Sequence, residues 1–180
     1  MKKLIIALVA VAMGVAANAS SVTWSALNIN PNADQTDVTK YMAYCIDTSV
    51  FSDAITADNY LGAIAAAAYS VGLQKTSATA TTGKIPAGTI FSDSYVAGDK
   101  PTYVTLIIDN ALGSETGFAV SVPKTATVTN AGALTMGFGS LATATAAGAW
   151  TSVGGVTPEP TSALLLLLGV AGLALKRKQA

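Results

Sequence analysis

Few residues in this chain can do chemistry. It has no histidine and one cysteine, Cys45, so Ser-His-Asp and Cys-His catalysis, His-ligated zinc and thiolate clusters are excluded. Carboxylates, hydroxyls and amides remain. Asp47, Asp53 and Asp58 could supply a general acid/base pair of the glycosidase kind. Nothing in the sequence fixes their separation, and carboxylates in loops are usually just solvated. Asn28, Asn30, Asn32, Asp34 and Asp37 place oxygens at a spacing that could hold calcium. The central glycine and terminal glutamate of an EF-hand loop are missing, and Asx turns explain the same residues more simply. Trp24 and Trp150, with Tyr41, Tyr44, Tyr60, Tyr69, Tyr95 and Tyr103, could include a sugar-stacking platform, although aromatics of a small β domain more often fill its core. Thr125, Thr127 and Thr129, with Thr143 and Thr145, have the pattern of flat threonine arrays that bind ice. One short ladder without a repeating coil reads instead as a solvent-facing strand. No catalytic residue, metal site or cofactor is expected.

These residues sit on a body that reads as short strands between turn signals. Strands are expected over residues 22–29, 41–46, 89–96, 103–109, 118–122, 125–129, 134–138 and 149–153. In the second, Met42, Tyr44 and Ile46 share a face. The run from Val104 to Ile108 is apolar on both faces, which predicts a central strand. Residues 110–117 make a hairpin loop. Residues 58–71 break the pattern: Leu61, Ile64, Ala68 and Val71 recur at helical spacing in an alanine-rich filling, with Asp58 as N-cap and Gly72 as the stop. Residues 74–83 and 141–148 read as loops. The expected fold is mainly β: an antiparallel, jelly-roll-like sandwich of about seven or eight strands with one packed helix near 58–71.

Both ends of the chain differ from this body. Lys2 and Lys3 precede an apolar stretch over residues 4–17, and Ala17-Asn18-Ala19 forms an A-x-A site. This is a secretory signal peptide, with cleavage expected before Ser20. At the other end stand Pro158-Glu159-Pro160, then an uncharged run of 13 residues from Ala163 to Leu175, then Lys176-Arg177-Lys178. As a helix that run would be about 20 Å long, short of a bilayer core of about 30 Å. The flanking cations lengthen the effective span by snorkelling. They also place the tail in the cytoplasm, with the body outside. The division expected is a signal peptide at 1–19, an extracytoplasmic β domain at 20–152, a linker at 153–162, a transmembrane helix at 163–175 and a basic tail at 176–180.

The order of these three C-terminal parts resembles the PEP-CTERM sorting signal of Gram-negative bacteria, a tail also called the ice-binding protein C-terminal domain. The likeness covers residues 158–178 and says nothing of the body. It implies recognition of Pro158, Glu159 and Pro160 by exosortase, a membrane-embedded cysteine protease, and cleavage near them. The remainder would pass to the outer surface or the exopolysaccharide matrix. A sortase signal would need L-P-x-T-G, which is absent. A GPI signal would end in its apolar tail, not in Lys176-Arg177-Lys178.

The charge balance depends on these ends. The whole chain has ten cations and ten acids. Residues 20–160 keep five lysines and all ten acids, a net charge of −5, which offers nucleic acid no footprint. About 140 residues suit one domain. The expected function is that of an exported surface or matrix structural protein, not an enzyme. Its partners would be signal peptidase, exosortase and exopolysaccharide, and a glycan-binding module of the same matrix is the alternative. Cys45, alone, is expected to be buried and inert rather than to pair between chains.

Overall fold

The structure, a computed structural model, describes residues 19–33, 35–128 and 133–153. It is mainly β. Strands β1 (Ala19–Ile29), β2 (Met42–Asp47), β3 (Tyr69–Gly72), β4 (Gln74–Lys75), β5 (Gly83–Ser94), β6 (Thr102–Ile108), β7 (Gly117–Val120), β8 (Lys124–Thr125), β9 (Ala133–Ser140) and β10 (Thr151–Ser152) are joined by one short helix, α1 (Tyr60–Ala65), and a 3-10 turn at Val38–Lys40. Two sheets result. The first runs β4-β5-β1-β9 and the second β10-β7-β6-β2-β3, with β8 pairing to β6.

Side-chain alternation explains the layering. From β2, Ala43 and Cys45 point into a core shared by the two sheets, while Tyr44 and Ile46 point the other way. β6 divides likewise, Tyr103 and Ile107 inward and Val104, Leu106 and Ile108 outward. The shared core takes Val22, Trp24 and Ala26 from β1, Ile85 from β5, and Leu134 and Met136 from β9. The opposite face of the second sheet is covered by Phe51 and Ile55 of the loop after β2 and by Tyr60, Ala63 and Ile64 of α1. A strand buried on both faces reads as a near-continuous apolar run, and β6, interrupted only by the buried Thr105 and lying between β2 and β7, is the central strand expected.

The helix is shorter than its periodicity suggests. It covers six residues, and β3 follows at once. Ala68 N–H donates to Cys45 O at 2.8 Å, and Tyr69 to Gly72 then pair antiparallel with Cys45 to Met42. The open edge of β2 and the β-favouring Tyr69 and Val71 outweigh alanine propensity. Asn59, not Asp58, is the N-cap residue. Gly72 is no helix stop, because it closes β3 opposite Met42.

Three further details depart from the sequence reading. β1 pairs antiparallel with β5 but parallel with β9. β5 begins at Gly83, and β4 lies inside the expected loop at 74–83. The ladder expected over 125–129 is only the two-residue β8, and Thr129 lies outside the described residues. Among the described residues no helix is long and apolar enough to cross a membrane. The expected spanning segment 163–175 lies outside them.

Candidate functional site

The described asparagines and aspartates of residues 28–37 (Asn28, Asn30, Asn32 and Asp37) do not converge on a common centre. Asn28 adopts φ 53° where the register of β1 against β5 shifts between Ala26 and Ile29, a left-handed position that asparagine tolerates; its amide donates to Ser140 Oγ at 3.3 Å. Asn30 Nδ2 donates to Ala142 O at 3.0 Å, and its backbone N–H donates to Thr145 Oγ1 at 2.8 Å. Asn32 Nδ2 donates to Asp109 Oδ2 at 2.6 Å. Asp37 accepts from Thr39 Oγ1 at 2.6 Å and from Thr39 N at 3.2 Å, and these bonds hold its carboxyl below the usual range. Asp34 lies outside the described residues. The four described residues spend these polar groups on the protein itself. Among the described residues no group of three or more carboxylate or thiol ligands comes together.

A buried polar centre forms around Asp109, to which the sequence pattern gave no role. Asp109 is fully buried and accepts from Thr116 N at 2.8 Å, Thr116 Oγ1 at 2.7 Å and Asn32 Nδ2. It ties the 30–37 loop to the hairpin between β6 and β7. Beside it, Tyr41 Oη accepts from Asn32 N at 2.8 Å and donates to Gln35 O. Burial pushes the Tyr41 hydroxyl up to about 12. Gly117 is required here, since a Cβ would stand 2.9 Å from Asn32 Nδ2 and 3.2 Å from Thr151 O. A second buried acid, Glu115, accepts from Tyr60 Oη at 2.8 Å and from Gly113 N. Burial first, and this bond second, push Tyr60 up to about 12. An acid that directly follows a strand buried on both faces was the signal for Asp109. Glu115 has no comparable mark.

The three acids proposed for catalysis fall in different settings. Asp53 lines an apolar groove of about 390 Å³ with Phe51, Ile55, Val104, Val120 and Pro123, and it is the sole carboxylate of that lining. One carboxylate makes no acid/base pair. Asp47, at the end of β2, lines a separate polar groove of about 350 Å³ with Ser49, Tyr95, Asp99, Lys100 and Thr102. Asp58 lines neither.

The aromatic residues are mostly core. Trp24, Tyr41 and Tyr103 are fully buried, Tyr44 and Tyr60 nearly so, and Trp150 packs half-buried against the shared core. Trp24 Nε1 donates to Thr105 Oγ1 across the two sheets at 3.0 Å. Its ring meets Tyr69 edge-on at 6.4 Å, Tyr69 stacks on Phe91 at 5.9 Å, and Phe91 meets Tyr103 edge-on at 5.9 Å. Trp24 therefore offers no open face for sugar. Thr145 is buried, bonded to Asn30 N and Leu141 O. Thr125 bonds Thr102 at 2.6 Å, and Thr129 lies outside the described residues. Cys45 is a buried free thiol, and burial, aided by Asp47, pushes it up to about 12.

Ala19 and Ser20 open β1, opposite Ser94 and Asp93. Ala17, Pro158, Glu159, Pro160, Lys176, Arg177 and Lys178 lie outside the described residues. Comparison of the chain with protein-family models, with curated proteins and with solved structures finds no match.

Proposed function

We propose that the protein is an exported structural component of the cell surface or extracellular matrix, sorted and processed through a PEP-CTERM-like tail. The observation that carries this reading is the order Pro158-Glu159-Pro160, apolar run, Lys176-Arg177-Lys178, paired with an A-x-A site at the other end. Signal peptidase acts before Ser20. The helix over 163–175 holds the chain with its body outside, and exosortase cuts near Pro158-Glu159-Pro160. The product joins the exopolysaccharide matrix of a Gram-negative bacterium. Among the described residues the buried core runs from Val22 to Val153. We read the two sheets as a jelly-roll-like sandwich, a non-enzymatic scaffold in which the parallel β1–β9 pair is a departure from antiparallel pairing.

Deleting residues 158–180 tests the reading. Export without surface delivery is expected; unchanged delivery of the truncated chain would overturn it. The second reading, a glycan-binding module of the same matrix, is favoured by the polar groove at Asp47 and Asp99, not by the tryptophans.

A further inference from the structure

We infer that the centre at Asp109 joins Thr116 to Asn32 through an internal ester, formed once by the fold itself with loss of ammonia. This goes beyond the surface-scaffold reading and does not depend on how the protein is delivered.

Making an ester from a carboxamide needs a hydroxyl, a base to take its proton, an acyl carbon and a donor for the oxygen that turns negative. All four stand together here. Thr116 Oγ1 donates to Asp109 Oδ2 at 2.7 Å, and Asn32 Nδ2 donates to the same oxygen at 2.6 Å. Thr116 N donates to the other oxygen, Oδ1, at 2.8 Å, which sets the rotation of the carboxylate. Ala33 N donates to Asn32 Oδ1 at 2.8 Å, where it would stabilise negative charge on that oxygen. A donor on Oδ1 and an acceptor on Nδ2 fix which way the amide points.

The partners are held close. Asn32 N donates to Tyr41 Oη at 2.8 Å, which anchors the backbone of Asn32. Gly117, next to Thr116, lets the amide lie against the chain, since a Cβ there would stand 2.9 Å from Asn32 Nδ2. Attack needs Thr116 Oγ1 within about 3 to 3.5 Å of Asn32 Cγ. Both groups already bond one oxygen atom, so the remaining movement is one of side chains alone. Asp109 is fully buried, whereas Asn32 is half-buried and Thr116 exposed, which leaves ammonia a way out.

The step balances without cofactor or oxidant. Thr116 Oγ1 bonds Asn32 Cγ as its proton passes to Asp109 Oδ2. Asp109 returns that proton to Nδ2, the Cγ–Nδ2 bond breaks, and ammonia leaves. The carboxylate ends as it began. With Cys45 as its one cysteine, the chain has no intrachain disulfide. The ester ties the 30–37 loop to the β6–β7 hairpin, and such a link constrains the unfolded chain as a disulfide does.

Peptide mapping of the purified, unfolded full chain by mass spectrometry tests this. The tryptic peptide ending at Lys40 is expected linked to the one ending at Lys124, lighter than the two together by one ammonia and separated by hydroxylamine. The link should vanish in Thr116→Val, persist in Thr116→Ser and form about a hundredfold more slowly or worse in Asp109→Asn. If Asp109→Asn fails to fold, the two Thr116 variants, at an exposed position, decide the matter. Separate peptides of full mass from the unaltered chain would overturn the inference. So would ammonia lost with the peptides still separate, the mark of a cyclic imide at Asn32, or a link that survives Thr116→Val.

Discussion

Replacing Asp109 with alanine would strand three donors at once: Thr116 N, Thr116 Oγ1 and Asn32 Nδ2. Bonds to a charged acceptor are worth more than neutral ones, and buried donors left without a partner cost more again. The expected loss is about 3 kcal/mol or more, a fall in melting temperature of roughly 10 °C for a domain of this size. Asp109→Asn keeps the shape and one acceptor oxygen, and should lose less. Gly117→Ala should act on the same centre by forcing Asn32 and Thr151 apart. Thermal melting followed by circular dichroism reads all three, and an unchanged midpoint for Asp109→Ala would contradict the role given to this carboxylate. Little of this was legible beforehand. Asn32 drew notice as an oxygen donor toward calcium, whereas its amide nitrogen is what the fold uses. Composition shows which residues have polar atoms but not which atom finds a partner across the chain.

At the scale of elements, β6 was readable because burial on both faces leaves a continuous apolar record, and the faces of β2 were readable from Met42, Tyr44 and Ile46. The end of α1 was not. Ala68 and Val71 continue a helical period, yet their fate is set by Cys45 O and Ala43 on a strand far earlier in the chain. The parallel pairing of β1 with β9 is hidden for the same reason. What holds α1 in place can be titrated. Tyr60 stacks on Phe118 at 5.3 Å and bonds Glu115, and it is kept neutral by burial and that bond. Its pKa is raised in the fold, so its contribution is fully present below the unfolded value near 10. It is lost as pH climbs toward about 12. Tyr41 follows the same sign. The melting temperature should therefore fall as pH rises from about 10 to about 12, together with the rise in tyrosinate absorbance. In the Tyr60→Phe variant that alkaline fall should be shallower. An equal slope in both proteins would show that α1 is not secured by this tyrosine.

The whole molecule is better defined by its charge than by its average composition. The complete chain balances ten cations against ten acids and has an isoelectric point near 6.1. Half of the cations, however, lie at the ends: Lys2 and Lys3 before the A-x-A site, and Lys176, Arg177 and Lys178 after the apolar run. The acids all lie between Asp34 and Glu159. Each of the proposed processing steps would therefore remove positive charge and little or no negative charge. Removal of the leader alone would leave the chain at −2, and removal of both ends, with the cut after Pro160, at −5. With five lysines against ten carboxylates, the finished form should focus near the carboxylate range, at about pH 4 to 5. Isoelectric focusing of precursor, membrane-held and surface-released protein should thus give three bands of increasing acidity. Released protein that focuses near the precursor would show that both ends were retained. A released band at the intermediate position would show leader cleavage without tail removal, and the exosortase step would then have to be abandoned.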